Sequence, residues 1–136
     1  MKGLTFQGIE TVEFQSDLLD PVIVDPTDVI VRVLKAGICG SDLHQYHGRE
    51  SVRPGTIPGH EFAGENVAAG RSVQNFKVGD RVFAPFTTSC GECFFCNNRL
   101  SSRCNSGQLF GYLPPADEVD EGRGIQGAQA ELIRVP

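Results

Sequence analysis

The sequence predicts a mainly β domain, a small barrel or sandwich with short helices and a metal-binding lobe built from four cysteines. Short apolar runs rich in β-branched residues recur along 136 residues, and the 16 glycines and 8 prolines supply frequent turns between them. Little of the chain has the apolar periodicity of a helix. Cys90, Cys93, Cys96 and Cys104 crowd into one loop, where four thiolates can surround a single ion.

Residues 2–7 and 11–14 alternate apolar and polar around Gly8 and are expected to pair as a hairpin. Pro21 and Pro26 bracket Val22-Ile23-Val24, and Pro26-Thr27-Asp28 turns the chain into the clearest strand, residues 29–36. Its β-branched residues fall on both faces, with Arg32 and Lys35 interrupting, so one face should be fully covered and the other partly. Gly37 ends it. Ser41 or Asp42 is expected to cap a short helix running through Tyr46 until Gly48 stops it. After a polar connection, residues 62–67 resume a strand pattern, with Gly59, Gly64 and Gly70 marking turns or close backbone approaches. Gly79-Asp80 predicts a turn followed by a strand through Ala84. Residues 87–104 read as loop, 108–113 as apolar, and Pro114-Pro115 opens a solvated acidic segment carrying Asp117, Glu118, Asp120 and Glu121. Residues 130–135 form the last strand.

The length suits one compact domain. A net charge of -5 opposes binding to nucleic acid or anionic lipid, and no apolar run is long enough to span a bilayer. Without the apolar core of a signal peptide, the expected location is the cytoplasm, where five cysteines, an odd number, stay reduced.

Two groups of residues carry the chemistry. Cys39-Gly40-Ser41-Asp42-Leu43-His44 and Gly59-His60-Glu61 bring together a thiol, an imidazole and a carboxylate, the donors zinc prefers, and so few protein donors leave a position open for water or substrate. Cys39 lies where a strand ends and a helix starts, a place where rigid elements fix a group beside an open loop. The second group, C-x2-C-x2-C-x7-C from Cys90 to Cys104, is the strongest signal. Disulfides are awkward between such near neighbours, iron-sulfur clusters use similar spacing, and a closed shell of four sulfurs around structural zinc fits best. His47 reads as a plain surface histidine.

These motifs, taken in order, resemble the N-terminal catalytic domain of the zinc-dependent medium-chain alcohol dehydrogenases, whose barrel is GroES-like. The resemblance rests on Gly59-His60-Glu61-Phe62-Ala63-Gly64 with Gly70 and Val73, the Cys39–His44 segment, Gly79-Asp80-Arg81-Val82, the four-cysteine lobe, Gln129-Ala130-Glu131 and Val135-Pro136. The segment from Ile38 to His44 is most similar to the formaldehyde dehydrogenase-like branch. The resemblance implies that Cys39 and His60 are ligands of a catalytic zinc, with Glu61 able to approach the metal. It also implies that Ser41 takes the proton of a small alcohol, His44 passes it to solvent, and Asp42 orients His60. NAD or NADP would accept the hydride in the intact enzyme.

One departure qualifies that expectation. Gly122-Arg123-Gly124-Ile125-Gln126-Gly127 has the G-x-G-x-x-G spelling but precedes a strand rather than opening a helix, so it is not read as a dinucleotide loop. Residues 1–136 are therefore expected to be one catalytic domain, its structural zinc lobe at about residues 87–107, with no Rossmann domain and no turnover alone. Self-association through uncovered barrel edges is expected, giving a homo-oligomer. The rival reading is a non-catalytic zinc-binding GroES-like interaction module, in which only the lobe is occupied.

Overall fold

The chain opens with an antiparallel hairpin, β1 (Gly3–Gly8) and β2 (Thr11–Gln15), whose turn places Glu10 at φ 55. In this computed structural model the described residues are 1–115 and 124–136. Asp117, Glu118, Asp120 and Glu121 of the expected acidic loop, with Gly122 and Arg123, lie outside them. β3 (Val29–Ala36) leads into α1 (Gly40–Tyr46), followed by β4 (Phe62–Ala69) and β5 (Arg81–Ala84). The lobe holds a one-turn helix, α2 (Phe94–Asn97), and a 3-10 turn at Ser101–Arg103 where only loop was expected. β6 (Leu109–Phe110), β7 (Gly124–Ile125) and β8 (Leu132–Val135) complete the order.

The largest sheet has the order β5-β4-β3-β8, antiparallel throughout. β6 and β7 form a separate parallel pair. Among the described residues the pairings give three open sheets of two, four and two strands, tied by single bridges from Gly3 to Ala130 and from Thr87 to Leu109. Val29, Ile30 and Val31 are all buried, so the start of β3 is covered on both faces, whereas its end, from Leu34 to Ala36, is exposed. That differs from a strand covered evenly along one face. β8 pairs with β3 only from Val29 to Arg32, so the second half of the strand lacks that neighbour, and pairing with β4 is irregular between Ile30 and Val31 and between Val33 and Lys35.

Val29, Val31, Phe62, Phe110, Ile125, Ala128 and Ile133 form the core cluster. Each large aliphatic side chain there contributes about 1.5–3 kcal/mol through burial, and Phe62 meets Phe110 edge to face at 5.3 Å. Immediately before β3, Asp28 is fully buried. Its Oδ2 accepts from the amides of Val24 (2.8 Å) and Asp25 (2.9 Å) and from Arg134 on β8 (3.1 Å). Burial alone pushes that carboxyl up, but the amides of Asp25 and Val24 and the Arg134 guanidinium outweigh it and leave its pKa below the usual carboxylate value.

Candidate metal centres

α1 differs from expectation at its first residue. Cys39 itself, rather than Ser41 or Asp42, is the N-cap: its Sγ accepts from the Ser41 amide at 3.3 Å, and Asp42 Oδ2 accepts from the Cys39 amide at 2.7 Å. This reciprocal box satisfies orphan donors of the helix start and fixes the thiol at the same time. At the other end His47 is the C-cap and Gly48, at φ 69, takes the left-handed conformation that ends the helix. His47 is exposed, with Nδ1 3.1 Å from Glu10.

His60 is delivered by a different device. Gly59 adopts φ 94, and a Cβ there would press against Gln129 Cγ at 2.8 Å. Residues 57–59 are clamped by the chain before β8. The amides of Gly127, Ala128 and Gln129 donate to the carbonyls of Ile57, Gly59 and Pro58 at 2.8–2.9 Å, and Gln126 Oε1 accepts from the Ile57 amide at 2.6 Å. The Gln129 side chain in turn donates to the Gly37 carbonyl at 3.3 Å, next to the strand end that carries Cys39. Sequence reasoning missed Gln126 and the double role of Gln129; the spelling Gln129-Ala130-Glu131 was the available signal, but it does not say what the glutamine touches.

These devices bring Cys39 Sγ to 2.9 Å from His60 Nε2. The opposite ring nitrogen, Nδ1, lies 3.5 Å from Asp42 Oδ1, a buried oxygen that makes no hydrogen bond. Cys39, Asp42 and His60 thus offer three donor atoms within 4.8 Å of one another. The set is chemically suited to zinc: a cysteine sulfur, an imidazole whose Nε2 faces it, and a carboxylate behind the ring. Ser41 and Glu61 line the same cleft of about 360 Å³, walled by Phe86, Phe110 and Tyr112. Glu61 is exposed, its Oε2 only 3.2 Å from where a side chain on Gly37 would begin, and it lies outside the three-donor group. His44 is one turn on from Ser41, exposed and away from the cleft wall; no hydrogen bond joins the two side chains.

The lobe brings all four of its cysteines together, each a free thiol, with Sγ atoms within 4.8 Å of one another. Cys90 and Cys104 sulfurs are 3.5 Å apart, Cys93 and Cys104 3.9 Å, Cys90 and Cys96 4.0 Å. A tetrahedron with zinc–sulfur bonds of about 2.3 Å has sulfurs about 3.8 Å apart, so the spacing matches a single ion and leaves no room for a multinuclear cluster. A backbone hydrogen bond at Cys96 lowers the Cys93 thiol to about 6, and one at Cys90 lowers Cys104 as well. Desolvation and the neighbouring sulfurs push Cys96 up to about 12. Cys93 therefore gives up its proton more readily than Cys96, and filling the site displaces a proton from Cys96.

A sequence profile described as the alcohol dehydrogenase GroES-like domain matches residues 25–136. The chain is 44% identical over 137 residues to a medium chain reductase/dehydrogenase, ucsI, of an Acremonium species, covering 100% of this chain and 43% of that protein. Zinc-type alcohol dehydrogenase B of Aspergillus flavus is 45% identical over 116 residues, 85% of this chain and 25% of its own. Among solved structures, alcohol dehydrogenase TADH from Thermus sp. ATN1 superposes with a TM-score of 0.90 at 41% identity, over 100% of this chain and 37% of that one. The chain thus spans less than half the length of each of these proteins.

Proposed function

Since the chain belongs to the alcohol dehydrogenase GroES-like domain family, we propose that it forms the catalytic domain of an enzyme that moves hydride between a small alcohol, or its aldehyde or ketone, and NAD or NADP. The observation that carries this reading is the Cys39–His60 pair, donor to donor at 2.9 Å within an open cleft. Cys39 and His60 would hold zinc, with Glu61 in reach from the cleft wall, and the lobe cysteines would hold a second ion. Zinc bound by the pair supplies Lewis acidity toward the oxygen of an alcohol or carbonyl compound.

The other roles fall to this chain's own groups. Asp42, with Oδ1 3.5 Å from Nδ1, would orient the His60 ring so that Nε2 faces the cleft. Ser41 Oγ would take the alcohol proton as its own hydroxyl proton leaves, and the exposed His44 imidazole, one turn further on and not hydrogen-bonded to Ser41, would pass a proton to solvent through intervening water. Phe86, Phe110 and Tyr112 limit water around the reacting carbon. We further take the three sheets to be parts of a GroES-like barrel, supported by the bridges at Gly3–Ala130 and Thr87–Leu109, and residues 1–136 to be one such domain with its lobe at about 87–107. β5 is an edge strand with Phe83 largely exposed, which supports self-association as a homo-oligomer. Among the described residues no helix is long and apolar enough to cross a membrane.

Metal analysis tests the reading. Two zinc ions per chain, falling to one in Cys39→Ser, is the expected result. One zinc per chain, unchanged by Cys39→Ser, would instead favour the non-catalytic zinc module.

A further inference from the structure

Cys39 follows a strand end that the core does not hold. Leu34, Lys35 and Ala36 are exposed, Ile38 is 73% exposed, and β8 accompanies β3 only as far as Arg32. Backbone hydrogen bonds take the place of burial: beyond the pairing with β4, the Val33 amide donates to the Glu131 carbonyl at 2.9 Å and the Gly37 amide to the Glu61 carbonyl at 2.8 Å. One side chain adds to them. Gln129 Nε2 donates to the Gly37 carbonyl at 3.3 Å, so Gly37, two residues ahead of Cys39, is held through both its amide and its carbonyl. The same residue meets the segment that carries the other donor. Its amide donates to the Pro58 carbonyl at 2.9 Å, and its Cγ occupies the space that a side chain on Gly59, the residue before His60, would need. Gln129 is itself fixed from outside, since the Leu4 amide on β1 donates to its carbonyl at 2.8 Å and the preceding Ala128 is fully buried in the core cluster. It is an anchored point between two segments, one of them otherwise loosely held.

We propose that Gln129 is a positioning residue: it contacts neither Cys39 Sγ nor the His60 ring, yet its side chain, acting on the backbone behind both, sets their separation and mutual angle. The proposal rests on the reading of the Cys39–His60 pair as a metal centre and adds to it the residue that fixes the pair's geometry. Asp42 works differently, because it bonds the Cys39 amide and faces the His60 ring directly. Without the Gln129 donor, the Gly37 carbonyl turns to water and the exposed half of β3 is freed on that side. His60 stays clamped through residues 57–59, while Cys39 moves with the strand end and α1. The 2.9 Å approach of the two donors then becomes a spread of separations, and a bound ion meets a less defined site.

Cobalt(II) in place of zinc reads that geometry, because its d–d bands follow the arrangement of the donors. Difference spectra against Cys39→Ser remove the contribution of the lobe. Gln129→Met, unbranched and similar in length, keeps Cγ over Gly59 and loses the donor, whereas Gln129→Glu keeps the shape and sets an acceptor against the Gly37 carbonyl. Should one variant not fold, the other carries the test. Both are expected to shift or broaden the cleft bands and to weaken cobalt there about threefold to tenfold, the size of one net hydrogen bond, with the glutamate at the upper end. Lobe affinity and amide protection of β8 should not change. Cleft bands and affinity at the original values in a folded variant overturn the proposal. So does a loss of thermal stability with the bands unmoved, the mark of a residue that supports the fold alone. Identical spectra for the unsubstituted protein and Cys39→Ser overturn the metal-pair reading, and the positioning role with it, a result seen before Gln129 is altered and so distinct from the other two.

Discussion

The four-sulfur lobe and the Cys39–His60 cleft are both assembled around thiols, yet the chain builds them in opposite ways. In the lobe all donors come from a short stretch, Cys90 to Cys104, and the local backbone sets their spacing. In the cleft the donors are 21 residues apart, and it takes a helix cap on one side and a clamp by residues 126–129 on the other to bring them to 2.9 Å. The lobe has little core of its own, since Phe94 is 72% exposed and α2 buries no residue. The cleft leans on Phe62, adjacent to Glu61 and packed in the main core. Metal is thus expected to organise the lobe, whereas the fold organises the cleft.

The largest effects should come from removing ligands. Cys104→Ser leaves three sulfurs in the lobe, so bound zinc should fall by one ion per chain. Amide protection across residues 90–104 should fall about a hundredfold or more, as expected for a segment ordered mainly by its metal. Retention of that protection would mean the lobe is held by something other than metal. Cys39→Ser should also remove one ion, but with α1 still protected from exchange, because serine is an effective N-cap and can accept from the Ser41 amide as the thiol does. If α1 melts in that variant, the cleft is as metal-dependent as the lobe and the contrast fails.

Asp28 separates the two regions in another way. It is buried immediately before β3 and bonded to Arg134 of β8, away from the lobe cysteines in sequence. Asp28→Ala strips acceptors from two amides and a partner from a guanidinium, and should cost about 2–4 kcal/mol of unfolding free energy, leaving lobe zinc in place. The same carboxylate gives a pH dependence. Its folded pKa lies below the ordinary 3.8, so its contribution is complete above the unfolded pKa and is lost as pH falls through the lower folded value. Acid titration of stability should therefore show a loss below about pH 4 that is absent in Asp28→Ala; identical acid profiles would contradict the assignment.

The convergence of the lobe's four cysteines was legible because its geometry is nearly contained in its spacing: four cysteines so close in sequence can meet without help from the rest of the chain. The strand at residues 29–36 was legible for a similar reason, as a run of β-branched residues between turn formers. The cleft was legible in residue type but not in construction. That Cys39 would cap its own helix could not be read from propensity, which favours Ser41 or Asp42 in that role; tertiary placement overrode it. The clamp by Gln126, Gly127, Ala128 and Gln129 pairs segments almost 70 residues apart, and nothing periodic marks such contacts. The helical turns of the lobe were missed because the residues around Cys93 and Cys104 are punctuated by turn formers and lack an apolar face.

The smallest expected effect tests whether the cleft is tuned from behind its ligands, something the lobe does not need. Asp42 Oδ1 is buried, unbonded and 3.5 Å from His60 Nδ1, while Oδ2 holds the Cys39 amide. Asp42→Asn preserves an acceptor for that amide and so the helix start, but removes the negative charge 3.5 Å from His60 Nδ1. Zinc affinity at the cleft should fall about 10–100-fold in chelator competition, with lobe affinity unchanged. Equal weakening of both ions would show that the sites are coupled through the sheet. No weakening of either would leave the His60 ring oriented by the Gly59 turn alone, and the carboxylate with only its capping role.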